Sequence, residues 1–269
     1  MKDKFILQSS GIGDVIIFIS YINRFFSNSK NKTYIDFDKK NIQYWRDDVD
    51  QYYPYLVRFG NFLLPNDNIV IQEGISGELI DTGGIFNYYS SHFSNFEMID
   101  TYHKLNIPKD SNKIVLHTKV RNLHRGVYNS FKKKFYDILN NSDKEFIILG
   151  EREVEYGKEY TIHGDQVIYS IYDDVMNNLD KNKIMDLSMP KYGISSPNFE
   201  VLMNDIDIMS KHKNICLGSG GVLVLCSFAC SSYDLLGCIS RNHALPVFLN
   251  SPSLKESTNF IEDLPNFIK

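Results

Sequence analysis

Residues 4–26, KFILQSSGIGDVIIFISYINRFF, restrict the possible folds of this chain more than any other stretch. The apolar run from Phe5 to Leu7 breaks into a Ser-Ser-Gly-Ile-Gly loop, and the chain restarts as a helix with Asp14 in its first turn. A strand feeding a glycine-rich turn into a helix leaves free backbone N–H groups and the positive end of the helix dipole in one crevice. Anions bind in such a place, and a carboxylate there can work beside a donor's phosphates. The segment therefore points to an α/β fold and to an enzyme acting on a nucleotide-linked substrate.

The same alternation recurs along the chain. Apolar runs at 4–10, 33–37, 68–73, 113–120, 145–150, 166–171, 214–218 and 233–238 read as strands. Periodic stretches at 14–26, 92–105, 128–141, 198–212, 221–231 and 254–267 read as helices. Strand and helix taking turns, with branched apolar strands, predicts parallel sheets with helices on their faces. The polar segment IPKDSNK, residues 107–113, precedes a fresh strand at KIVLHTKV. It divides the chain into two Rossmann-like halves, 1–110 and 111–269, and the terminal helix is left free to pack back across the join.

At 269 residues, with 43% hydrophobic and 23% charged residues, the chain is an ordinary globular protein with room for two cores. A net charge of −4 gives no global basic field, so nucleic acid is not an expected partner. No charged-then-apolar leader opens the sequence, and no apolar run reaches the roughly 18 residues of a membrane-spanning helix. A cytoplasmic location is expected, with peripheral membrane contact left open. Cys216, Cys226, Cys230 and Cys238 all fall in the last quarter of the sequence; Cys226 and Cys230 are spaced to share a helix face among Leu, Ser, Phe and Ala, with no His or acid nearby, which predicts reduced buried thiols and no metal site.

Four segments carry candidate chemistry. In the first, Gly11 and Gly13 suit a tight turn with close backbone approach, while Asp14 is either functional or merely complements the helix dipole. Ile16 stands where a dinucleotide fingerprint needs its third glycine, and no Gly-Lys-Ser/Thr follows, so neither an NAD nor a P-loop motif is present. In the second, His117, Lys119, Arg121, His124 and Arg125 gather after a strand end, where they neutralise a diphosphate or form a solvated basic loop. Third, Glu151 and Glu155 follow the strand ending at Gly150, in position to bond ribose hydroxyls. Fourth, Gly218, Ser219, Gly220 and Gly221 form a second glycine-rich loop before a helix, and its amides suit a phosphate. No G-x-S-x-G elbow of a serine hydrolase is present.

With these segments in place, the chain resembles the GT-B glycosyltransferases, and most nearly the heptosyltransferase family (glycosyltransferase family 9). QSSGIGDVIIF, residues 8–18, follows that family's strand, Ser-Ser-x-Gly-Asp loop and apolar helix with one added residue before Gly13-Asp14. The resemblance implies two Rossmann-like domains facing across a cleft, the acceptor on the first and the nucleotide-sugar on the second. It makes Asp14 the base that deprotonates the acceptor, Lys119 a diphosphate ligand, the Glu151–Glu155 region a ribose contact and Gly218–Gly221 the loop that closes over the diphosphate. Ile19 and Ser20 stand where the family has proline, and the late loop lacks the family's Asp-Thr-Gly and following His.

The resulting expectation is metal-independent, inverting transfer of a sugar from a nucleotide-sugar substrate to a glycan or lipid-linked acceptor, with no separate cofactor. Asp14 takes the acceptor proton, while Lys119, Arg121 and the late-loop amides stabilise the leaving diphosphate. Trp45, Tyr52, Tyr88 and Tyr89, in the stretches 41–62 and 74–95, are candidates for stacking on sugar rings. The alternatives are a nucleotide-sugar hydrolase or epimerase, a nucleotide-dependent reductase, and a degenerate GT-B protein that only binds nucleotide.

Overall fold

A computed structural model describes residues 3–8, 11–45, 48–64, 67–85, 112–154, 168–192, 198–218, 221–239 and 254–269. The chain divides into two compact units, Met1–Asp100 with Ser196–Leu202 and Thr101–Ser195 with Met203–Lys269. Each is an α/β unit around a parallel sheet of Rossmann-like type. Most of the expected boundary segment 107–113, and the expected helix at 92–105, lie outside the described residues.

The first unit runs β1 (Lys4–Leu7), α1 (Ile12–Phe26), β2 (Thr33–Phe37), α2 (Lys39–Trp45), α3 (Val49–Leu63), β3 (Ile69–Ile71) and β4 (Glu78–Ile80). The strand order is β3-β2-β1-β4, parallel throughout, with Leu7 opposite Phe37 and Ile80. Helix α1 buries an unbroken run from Val15 to Ile22, as a helix pressed against a sheet requires. Phe18 meets the ring of Phe37 edge-on at 6.5 Å, and Tyr53 of α3 meets Phe37 at the same distance.

Helices α2 and α3 take up most of the stretch 41–62 that holds the stacking candidates Trp45 and Tyr52. Tyr52, Tyr53, Leu56, Phe59 and Gly60 form the buried stripe of α3, at the spacing of one helical face. Gly60 packs close to the sheet: a Cβ there would lie 2.6 Å from Ile71 Cδ1 and 3.1 Å from the Phe37 ring. Tyr52, offered as a sugar-stacking residue, is core: it is 6% exposed and packs on Tyr55 with centroids 5.5 Å apart. The Trp45 side chain, Tyr88 and Tyr89 lie outside the described residues.

The second unit contains β5 (Lys113–His117), β6 (Lys119–Arg121), α4 (Asn122–Asn140), β7 (Glu145–Leu149), β8 (Glu151–Val154), β9 (Ile168–Ser170), α5 (Tyr172–Asn178), β10 (Ile184–Asp186) and β11 (Met189–Tyr192). It continues with α6 (Phe199–Lys211, whose first residues group with the first unit), β12 (Lys213–Cys216), α7 (Gly221–Ala229), β13 (Leu235–Ile239), β14 (Leu254–Glu256) and α8 (Ser257–Phe267). Its main sheet has the order β10-β7-β5-β12-β13-β14 and is parallel throughout. Both faces are covered, as parallel sheets demand. Ile114, Leu116, Phe146, Ile148 and Ile215 enter one core cluster, and the alternate residues Val115 and Ile147 are equally buried.

That cluster also receives the terminal helix. Phe260 of α8 lies 5.5 Å from the Phe131 ring and 6.2 Å from the Phe135 ring of α4. Phe260, Ile261, Leu264 and Ile268 are thus buried in the second unit's own core, each such side chain stabilising it by about 1.5–3 kcal/mol.

The expected single strand 113–120 is two. The chain breaks at Thr118, whose N–H donates to Leu149 O at 3.0 Å and whose carbonyl accepts from Ile171 N at 2.8 Å. Beyond it β6 leaves the main sheet and pairs antiparallel with β9, so the expected strand at 166–171 is not a member of that sheet. The expected helix 254–267 begins as the edge strand β14 before turning helical at Ser257.

Candidate functional site

In an open parallel sheet, neighbouring strands whose connections run to opposite sides leave a crevice beyond their C-terminal ends. The first unit has such a point between β1 and β4, since β2 and β3 lie on the other side of β1. Asp14 stands there. It is half-buried in the first turn of α1, and Gly11 precedes the helix in extended conformation, with its carbonyl accepting from Val15 N at 3.1 Å. A Cβ on Gly11 would lie 2.7 Å from Asp14 Oδ2, so the carboxylate folds back over the helix start. Gly13 is buried inside the same turn.

The second unit has its switch point between β5 and β12, with β7 and β10 on one side and β13 and β14 on the other. Cα pairing sets His117 opposite both Leu149 and Cys216 at the three strand ends. Lys119, Glu151 and Gly218 each follow their strand's last residue by two positions. Three segments far apart in sequence are thereby brought to adjacent strands, which lie about 4.8 Å apart. Lys119 Nζ is 3.7 Å from Glu151 Oε1, and the two side chains are only 17% and 14% exposed. Glu151 Oε2 is buried with no hydrogen-bond partner.

The backbone around Glu151 is fixed from two directions. Its carbonyl accepts from Thr118 Oγ1 at 3.0 Å and from the Ser170 hydroxyl at 2.5 Å. Gly150, just before it, has φ +107, and a Cβ there would lie 2.6 Å from Thr118 Oγ1. Only glycine meets both conditions without strain.

Asp205 completes this cluster and was not anticipated. Burial, and then the charge of Glu151, push its carboxyl up to about 7. It lies on α6 beside the buried stripe of Leu202, Ile206 and Met209, and nothing in the sequence separates it from the solvated acids of that helix except its place at the stripe's edge.

His117 leaves the basic group assigned to this loop. It is 2% exposed, with Nε2 3.3 Å from Asn214 Oδ1 and 3.2 Å from Cys226 Sγ. The Asn214 amide donates to Met209 O and His212 O, which turns Oδ1 toward the ring and puts the imidazole proton on Nε2. Burial pulls His117 down to about 4, the Asn214 bond offsetting this in part, so the ring is neutral near pH 7 and contributes no charge to a phosphate site. It belongs to the core beneath the late loop, together with the free, buried Cys216, Cys226, Cys230 and Cys238.

Gly218 is buried just past β12, accepting from Cys216 Sγ at 3.1 Å, and Gly221 is the exposed first residue of α7. Arg121 lies in β6, but its side chain, with those of His124 and Arg125, falls outside the described residues, as do Glu155, Ser219 and Gly220. Among the described residues no group of three or more His, Cys, Asp or Glu side chains is arranged to hold a metal ion. Among them, too, no helix is long and apolar enough to cross a membrane. Compared with known proteins, the chain matches no family model, no curated protein and no solved structure.

Proposed function

We propose that the chain is a GT-B glycosyltransferase that moves a sugar from a nucleotide-sugar to an acceptor hydroxyl with inversion, the first unit taking the acceptor and the second the donor. One observation carries the reading. The candidate residues of each unit stand at that unit's own topological switch point, an acid in the first and a cation, two acids and a glycine loop in the second. This is where open parallel sheets bind ligands, and the residue types match the two halves of a glycosyl transfer.

In the proposed reaction Asp14 accepts the proton of the acceptor hydroxyl, whose oxygen forms the new bond to the anomeric carbon. The bond to the diphosphate breaks on the opposite face and its electron pair leaves with the phosphate oxygen. Lys119, Arg121 and the backbone N–H groups of the Gly218–Gly221 loop stabilise that growing charge. Glu151, with one carboxylate oxygen buried and unpartnered, accepts hydrogen bonds from the ribose. Asp14→Asn should abolish transfer and leave nucleotide binding intact; turnover at the wild-type rate would refute the base assignment. A thermal-shift panel of nucleoside diphosphates and their sugars should give a rise in Tm that Lys119→Ala removes.

Asp205 favours a second reading. A carboxyl held near 7 beside the donor site can give or take a proton without any acceptor. The chain would then be a nucleotide-sugar hydrolase or epimerase on the same fold. Donor turnover with no acceptor present, lost in Asp205→Asn, would select it.

A further inference from the structure

The first unit contains a cavity of about 450 Å³ that the transferase reading does not use. It opens at the C-terminal edge of the sheet, one strand from the β1 loop that leads to Asp14. Lys39 enters it just after β2, Glu73 just after β3, and the outer face of α3 supplies Asp50, Arg58 and Asn61. Asp38 N donates to Leu7 O at 2.9 Å, so the turn carrying Lys39 is tied directly to the end of β1.

The floor of the cavity is rigid. Tyr53 is 4% exposed, and its hydroxyl donates to Asp36 Oδ1 at 2.6 Å. The buried Asp36 also accepts from Phe37 N and Gly74 N, each at 2.7 Å. One carboxylate thus joins the end of β2, α3 and the turn after β3, and the hollow between them is preformed.

The lining chemistry separates classes of ligand. Its two cations, Lys39 and Arg58, are balanced by two anions, Asp50 and Glu73. Lys39 is paired with Glu73 and Arg58 with Glu200, while Arg58 also lies over the Phe199 ring at 4.1 Å. A lining of zero net charge does not select phosphate or a carboxylated ligand. What it offers is donors and acceptors of both signs, with the amide of Asn61 added, beside a short apolar strip from Pro54 and Val57. Hydroxyls on one side and C–H groups on the other describe a pyranose, and the volume falls within the range of about 300–1,000 Å³ usual for small-ligand pockets.

We propose that this cavity binds an uncharged saccharide. On the transferase reading above, on which only the word acceptor depends, it is the subsite that holds the acceptor sugar, and the acceptor is a neutral glycan rather than a phosphorylated or uronic one.

The test is saturation-transfer NMR on the full chain with the methyl glycosides of glucose, galactose and mannose, alongside methyl glucuronide and inorganic phosphate. Transfer to at least one neutral glycoside is expected, weakened about tenfold in the Asp50→Ala/Asn61→Ala double variant, whose substitutions are exposed. The proposal is overturned if no neutral glycoside binds, if the glucuronide or phosphate binds better than all of them, or if the double variant binds as wild type does. Glycoside binding here without nucleoside diphosphate binding elsewhere would uphold the saccharide site and remove the transferase.

Discussion

Gly150→Ala tests whether the proposed donor site depends on one backbone angle. The residue lies at φ +107, where an L side chain costs about 1–3 kcal/mol. The new Cβ would also lie 2.6 Å from Thr118 Oγ1. Thr118 is fully buried and held through its own N–H and carbonyl, so relief must come from rotating its side chain. That rotation gives up the 3.0 Å bond to Glu151 O, at a further cost of about 1 kcal/mol. The expected loss is about 2–4 kcal/mol, a large share of the roughly 5–15 kcal/mol that stabilises a typical fold. Native-state hydrogen exchange at Leu116 and Ile148 reads this loss within the second unit, free of any separate melting of the first. Nucleotide affinity should fall with it, because Glu151 loses its anchor. Gly126→Ala is the control: a Cβ there meets nothing within 4 Å, and the helical position should gain about 0.5–1 kcal/mol. A Gly150→Ala protein within about 0.5 kcal/mol of wild type would refute the argument.

Two titrations should oppose each other. His117 is lowered from 6.5 to about 4, so between those values the unfolded chain binds more protons and stability falls as pH falls, by about 3 kcal/mol in all. Asp205 is raised from 3.8 to about 7, so over nearly the same interval the folded chain binds more protons and stability falls as pH rises. Denaturation against pH should therefore be nearly flat for the wild type. His117→Gln should leave only the decline with rising pH, and Asp205→Asn only the decline with falling pH; unchanged profiles would contradict both assignments. Near pH 8, Asp205→Asn should also be the more stable protein, by about 2–4 kcal/mol.

Where the sequence repeats one period for long enough, it can be read. Helix α1 announces itself by a run of apolar residues behind a glycine turn, and β5 and β7 by branched apolar runs that parallel strands need on both faces. Helix α3 was hidden because Pro54 and Gly60 interrupt it, and both read locally as breakers. In place, Pro54 is exposed on the outer face, and Gly60 lies close against the Ile71 and Phe37 side chains. Strands β4, β10, β11 and β14 span only three or four residues, too few for an alternation to register. At the site, Lys119 and Glu151 were legible because each follows a strand end, a position with meaning along the chain. The inward turn of His117 was not, since the residue before a strand break faces core or solvent according to the pleat. Asp205 reaches Glu151 through the packing of α6, a tertiary fact with no local signature.

The strand order of the second sheet also bears on how the protein is made. β5 lies at its middle, and three of the sheet's six strands, β12, β13 and β14, come from the last quarter of the chain. On the ribosome, Lys119 and Glu151 emerge long before the glycine loop, and His117 waits for Cys216 and Asn214 to close the core beneath them. Long-range parallel pairing is slow, and exposed strand edges invite other chains while it waits. Truncation near residue 210 should therefore yield an insoluble protein with half a sheet, and the proposed donor site cannot assemble until β12 has been made.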